Sequence, residues 1–183
     1  MAIDEDIKIY TPPQAGAAAD ELDDLAAQRS TLVLSGQMEK AKRLGRELAQ
    51  KDADSAEVAP LVRGYHYDLD AAAKQNLRVL LLFCAQQAID GLVLPELLAD
   101  AATAALQTEL AETAPAFWGT VSDGMAFTQY LLSLRNIGDL NDAVCAIAGT
   151  FARMCGQEDN EDLHGLAKDV FYTTWGYIET RWK

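Results

Sequence analysis

The stretch from residue 63 to residue 68 combines side chains that bind and transform small molecules: a guanidinium, two phenols, an imidazole and a carboxylate. It reads Arg63, Gly64, Tyr65, His66, Tyr67 and Asp68. Connections between helices carry a large share of functional residues. One interpretation is a binding or catalytic site around Arg63, His66 and Tyr67. The other is that Tyr65 and Tyr67 hold the connection against the helices while their hydroxyl groups reach water.

Histidine is otherwise scarce, because His164 is the only other one in the chain. Glu161 and His164 have the spacing with which helices of di-iron bundles aim two ligands at one metal. Such a site needs a second pair of this kind, and the chain has none. We therefore interpret the acids of residues 158–162 as groups that stabilise the start of a helix.

The familiar catalytic sequence patterns are missing from the chain. It has no phosphate-binding P-loop, no dinucleotide-binding glycine pattern, no nucleophile elbow of the serine hydrolases and no zinc-protease helix. We predict no catalytic residue, no metal ligand and no cofactor.

Basic side chains gather on one short segment of an otherwise acidic chain. They are Lys40, Lys42, Arg43, Arg46 and Lys51. Lys40, Arg43 and Lys51 fall opposite the apolar stripe of the predicted helix, so we expect them to face solvent. Lys40, Arg43 and Arg46 then form a docking face for an acidic partner or for the acidic half of a second copy. The alternative is a solvated face with ion pairs between residues four positions apart.

Aromatic residues concentrate in the second half of the chain. Trp118, Phe127, Tyr172 and Trp175 could line an apolar cleft that binds a small molecule. They could equally complete the core or form an exposed patch for a partner.

The composition of the chain limits the classes of partner that we expect it to bind. The chain has 183 residues, with 15 Lys and Arg against 28 Asp and Glu, for a net charge of −13. This charge repels nucleic acid and anionic lipid, so we expect neither as a partner. The longest apolar run, residues 79–85, is far shorter than the ~20 residues that cross a bilayer. The acidic start differs from a signal peptide, and three cysteines without a C-x-x-C pair fit a reducing cytoplasm.

Helical periodicity runs through almost the whole chain from residue 15. We predict an all-α fold of six or seven helices, arranged as an irregular bundle of antiparallel αα-hairpins. Residues 1–14 form an amino-terminal arm, and residues 15–183 form one helical domain. Within that domain we expect an αα-hairpin over 15–51, a long connection over 52–70 and the main bundle over 71–183. The run from Leu77 to Ile89 is apolar on nearly all sides, which predicts a central buried helix.

Two turns share the pattern Gly-x-apolar-x-x-Ala, one from Gly36 to Ala41 and one from Gly138 to Ala143. Residues 25–49 resemble one helix pair of the tetratricopeptide family. The turns lie three 34-residue tetratricopeptide periods apart. The resemblance implies a helical repeat as an alternative to the irregular bundle. The segments at the two intermediate registers, 70–75 and 104–109, lack both the glycine and the closing alanine.

These observations predict a non-catalytic helical protein that acts through protein contacts, as an adaptor or as an assembly or regulatory subunit. The alternatives are a ligand-binding bundle with an aromatic cleft, and an enzyme with an unfamiliar site around Arg63, His66 and Tyr67. We also expect a two-fold dimer, the commonest assembly of intracellular proteins.

Overall fold

The structure is a computed structural model that describes residues 15–183, with side chains from residue 23 onward. Over these residues the chain is all-α, with nine helices and no strand. The helices are α1 (Ala15–Leu34), α2 (Gln37–Ala49), α3 (Ala59–Gly64), α4 (Ala71–Leu92), α5 (Glu96–Thr113), α6 (Pro115–Val121), α7 (Met125–Ser133), α8 (Leu140–Met154) and α9 (Glu161–Trp182). The predicted arm, residues 1–14, lies outside the described residues. No described helix has both the length and the apolar character that a bilayer span requires.

Two short helices account for the difference from the predicted count of six or seven. α3 lies inside the predicted long connection and has Pro60 in its first turn, and α6 begins at Pro115. Proline is favoured in the first turn because the amide it lacks has no helical partner there. Six or seven residues are too few for a helical period to show in the sequence.

Side-chain caps fix the starts of three helices, α4, α8 and α9. Asp70, Asp139 and Asn160 each accept a hydrogen bond from a first-turn amide, in α4, α8 and α9 respectively. The sequence predicts that Ser122 caps a helix through Leu134. This prediction is wrong, because Ser122 ends α6 and α7 begins at Met125. α7 is preceded by Gly124, whose φ of 74° lies in the left-handed region that favours glycine.

The described part of the chain divides into two units, with the boundary between Gln37 and Met38. In the first unit, α1 shows only part of the apolar stripe that its sequence predicts. Leu32 is buried, but Leu25 and Arg29 are exposed. Leu22 lies outside the described side chains.

In the second unit, α4 is the central helix. It has buried residues from Ala73 to Ile89 and packs against α5, α7, α8 and α9, which confirms the predicted central buried helix. α8 and α9 also pack on each other, α6 packs on α5 and α7, and α3 packs on α9. The helical period of the last helix predicts one buried face, and all six residues of that face are buried: Leu163, Leu166, Val170, Phe171, Thr174 and Ile178.

α2 and α5 approach each other closely where neither has a bulky side chain. Gly45 of α2 lies directly against the main chain of Ala102, so a Cβ at position 45 would overlap the Ala102 carbonyl oxygen. The alanine-rich segment of α5 predicts such an approach, and the structure confirms it. The predicted apolar face of α2 is buried in full: Met38, Ala41, Leu44, Leu48 and Ala49.

Candidate functional site

The tyrosines of the 63–68 stretch attach the connection to the helices. The Tyr65 hydroxyl donates a 2.6 Å hydrogen bond to Asp169 Oδ2 in α9, and its ring covers Gly165. Burial, reinforced by the bond to Asp169, raises the pKa of Tyr65 to about 12. The Tyr67 hydroxyl accepts a 3.0 Å hydrogen bond from the side-chain amide of Gln157.

The guanidinium and the imidazole of the same stretch do not lie with the two phenols. Arg63 and His66 are both exposed. The structure therefore does not bring the guanidinium, the imidazole and the phenols together around one cavity, and it favours the interpretation of Tyr65 and Tyr67 as anchors.

The His164 side chain binds the main chain just before its own helix, α9. Its Nε2 lies 2.7 Å from the main-chain oxygen of Glu158. A carbonyl oxygen can only accept, so Nε2 carries the hydrogen in this contact. Among the side chains that the structure describes, no group of three His, Cys, Asp or Glu could hold a metal ion.

The predicted basic face is only partly exposed. Arg43 and Arg46 lie open to solvent. Lys40 does not face solvent freely, because its ammonium donates a 2.9 Å hydrogen bond to the main-chain oxygen of Trp182 and lies 5.1 Å from the centre of the Trp182 ring. Lys51 is also turned inward, and its side chain is only 20% exposed.

The acidic residues of α2 form ion pairs with the other basic residues of the predicted face. Glu39 lies 3.0 Å from Lys42 Nζ and 3.9 Å from Arg46, and the hydrogen bond to Lys42 lowers the pKa of the Glu39 carboxyl. Arg43 lies 4.0 Å from Glu47. Exposed pairs of this kind contribute little to stability, so Arg43 and Arg46 remain available to a partner.

The predicted aromatic cleft does not form as one site. Trp175 stacks on Phe171 at 5.4 Å, and Tyr172 meets the edge of the same ring at 5.5 Å. Trp118 lies on α6, which packs on α5 and α7 rather than with α9. Phe127 contacts Phe83 of α4 edge to face.

A polar cluster that the sequence does not single out joins α2, the following loop and α9. Lys51 Nζ lies 2.6 Å from Glu57 Oε2 and 4.5 Å from the centre of the Tyr177 ring. The Tyr177 hydroxyl donates a 2.9 Å hydrogen bond to Glu47, which also binds Arg181 at 3.0 Å. The close ion pair with Lys51 lowers the pKa of Glu57, whereas burial and the bond to Glu47 raise the pKa of Tyr177 to about 12.

The cavity beside this cluster is very small. It lies between α2, α4 and α9, and its volume of 20 Å³ is room for about one water molecule. Its charges are already paired. The cluster therefore stabilises the contact between α2 and α9 and leaves no space for an organic ligand.

The most unusual surface lies on α7. The helix reads MAFTQYLLS and contains no charged residue, yet Tyr130 is its only buried side chain. Met125 is 70%, Leu132 60% and Leu131 54% exposed. We call the exposed side of this helix the α7 surface, formed by Met125, Thr128, Gln129, Leu131 and Leu132.

The sequence carried one signal for this surface, an apolar helix with no charge at any position. A helix of this composition is expected to be buried. Only the packing of its neighbours shows that one face is left open.

No family model, no curated protein and no solved structure matches this chain.

Proposed function

We propose that this is a non-catalytic helical protein that acts through contacts with another protein chain, as an adaptor or as an assembly or regulatory subunit. The observation that supports the proposal is the α7 surface. On a chain of net charge −13, a helix without charge exposes three large apolar side chains. Clustered apolar side chains on a surface mark places that a partner covers.

The two alternative functions have less support. A ligand-binding bundle with an aromatic cleft needs its aromatic side chains around one cavity, but they lie on helices with different neighbours, and the cavity beside Lys51 and Tyr177 holds about one water molecule. An enzyme centred on Arg63 and His66 needs these groups to face one cavity, and both are exposed.

The arrangement of the helices belongs to the same proposal. Short connections join α4 to α5 and α8 to α9, and the helices of each pair pack on each other. Short connections between packed helices favour antiparallel neighbours and thus an irregular bundle of αα-hairpins. We also propose a cytoplasmic location, which the three unpaired cysteines support.

Photo-crosslinking in cells that produce the protein tests the function. A photo-reactive amino acid replaces Gln129, at the middle of the α7 surface, or Gln107, an exposed residue of α5 that serves as control. We expect a covalent adduct with a protein chain from position 129 and none from position 107. Equal labelling from both positions, or no adduct from 129, would contradict the proposal.

A further inference from the structure

The ends of α7 carry opposite charges. Asp123 lies two residues before the helix and Arg135 two residues after it, and both are exposed. Neither forms an ion pair with another residue of the described chain. The surface therefore has a negative end, an apolar middle and a positive end.

This order of groups is self-complementary. Met125 and Leu132 lie at equal distances on either side of the midpoint between Thr128 and Gln129. When two such helices pack antiparallel about a two-fold axis through that midpoint, each residue meets its counterpart from the other end. The apolar ends then meet each other. Asp123 lies 5.5 positions before the midpoint and Arg135 lies 6.5 positions after it, so each carboxylate comes within about one residue of a guanidinium.

From this complementarity we infer that the α7 surface is the interface of a two-fold homodimer in which two copies of α7 pack antiparallel. Met125 packs against the partner subunit's Leu132, and Asp123 pairs with the partner subunit's Arg135. The inference rests on the proposed function and names its partner as a second copy of this chain.

Electrostatics favour this approach over others. Two copies of charge −13 repel each other over most of their surfaces. On α7 the approaching faces carry no charge, and the flanking groups attract across the two-fold axis. Thr128, with a short side chain near the axis, allows the two backbones to come close.

The size of the surface sets the expected strength. Three apolar side chains form a patch on the order of a few hundred Å². A standard interface buries about 800 Å² per partner, so this contact is a reversible one whose dimer fraction rises with protein concentration.

Sedimentation velocity of the purified full chain over a wide concentration range tests the inference. We expect a monomer–dimer equilibrium whose Kd rises at least about 100-fold in Leu132→Asp, since the substitution places a carboxylate in both halves of the contact. Leu94→Asp changes a leucine away from α7 that is 69% exposed, against 60% for Leu132, and should leave the Kd unchanged. Far-UV circular dichroism checks that both variants fold.

A charge cycle tests the antiparallel register. Arg135→Glu would place a carboxylate opposite the partner subunit's Asp123 and should raise the Kd at least about tenfold. Adding Asp123→Asn removes that repulsion and should recover part of the loss. Asn keeps the side-chain oxygen that accepts the 3.0 Å bond from the Met125 amide, so the start of α7 is preserved.

The outcomes separate the two proposals. A purified chain that stays monomeric, or a dimer that survives Leu132→Asp, overturns the inference. If the purified chain is monomeric but photo-crosslinking in cells still joins position 129 to a different protein, the proposed function stands. If it gives no adduct, the proposed function falls as well.

Discussion

Tyr130 is the largest fully buried side chain of the described residues, and its hydroxyl group has no hydrogen-bond partner among them. Its ring stacks on Phe83 at 4.8 Å. Burial raises the pKa of the phenol far above its ordinary value. A hydroxyl that loses water and gains no partner opposes folding, while the ring itself favours folding through its packing.

Tyr130→Phe should therefore stabilise the protein. It keeps the ring and removes the unpaired hydroxyl, so we expect the free energy of unfolding to rise by about 1 kcal/mol, measured by urea denaturation. Tyr65→Phe is the matched control, since the same change removes the bond to Asp169 and should lower stability by about 0.5–1 kcal/mol. A loss of stability in Tyr130→Phe would mean that its hydroxyl has a partner.

The phenols of Tyr65 and Tyr177 predict a loss of stability in alkali. Their pKa of about 12 in the folded chain lies above the value of about 10 of an unfolded tyrosine. Because the folded-state pKa is raised, this contribution to stability is complete below pH ~10 and is lost as the pH rises towards ~12.

Near-ultraviolet absorbance measures this ionisation directly. In the folded chain, Tyr65 and Tyr177 should ionise near pH 12, whereas all tyrosines of the urea-unfolded chain should ionise near pH 10. Tyr65→Phe should remove one of the late steps. Completion of every step near pH 10 in the folded chain would contradict the contacts described for these phenols.

At the scale of the elements, close approach of backbones decides where a glycine is required. Gly45 faces the main chain of Ala102 across the α2–α5 contact, whereas Gly176 of α9 has open space around its missing Cβ. Both lie inside helices, where alanine is intrinsically favoured by about 0.5–1 kcal/mol. Replacing these glycines with alanine should therefore change the stability of the protein in opposite directions, because only their surroundings differ.

Gly45→Ala should destabilise the protein by about 2 kcal/mol, because main chain cannot move aside as a flexible side chain can. Gly176→Ala should stabilise it by about 0.5–1 kcal/mol. Thermal unfolding should place the two midpoints on opposite sides of the unmodified protein, with about 2–4 °C for each kcal/mol. Equal effects would show that α2 and α5 do not meet at Gly45.

The sequence predicted the long helices and their buried faces because a stripe of side chains and a capping group are local properties. The sequence offers Asp68 or Asp70 as the cap of α4 and Asp139 as the cap of α8, and Asp70 and Asp139 are the caps observed; the core of α9 follows the same rule. The prediction that Lys40 and Lys51 face solvent was wrong, because the helical wheel of α2 takes no account of packing against α9. The carboxyl-terminal half of that helix brings Tyr177 and Trp182 against these lysines.

The candidate site was harder to predict for the same reason. The sequence predicts a helix from Ser122 through Leu134, but it does not predict which face of that helix is open. Which face of α7 stays open depends on the positions of α4, α6 and α8, which pack against it. The sequence alone contains no local signal for that choice.

At the scale of the whole molecule, the net charge of −13 produces an overall repulsion between copies. Ionic strength therefore distinguishes the two ways in which this chain could self-associate. A contact through the apolar α7 surface is limited by overall repulsion, which salt screens. A contact between the basic residues of α2 and the acidic half of a second copy is driven by attraction, which salt weakens.

We expect the dimer to tighten as salt rises from about 10 mM to about 150 mM, where the Debye length falls from about 30 Å to about 8 Å. The two pairs of Asp123 with the partner subunit's Arg135 weaken over the same range, but exposed pairs contribute little beside the repulsion of two charges of −13. Sedimentation equilibrium at several salt concentrations measures the Kd. A Kd that rises with salt would assign the contact to Arg43 and Arg46 of α2, and Arg43→Glu would then weaken the dimer where Leu132→Asp does not.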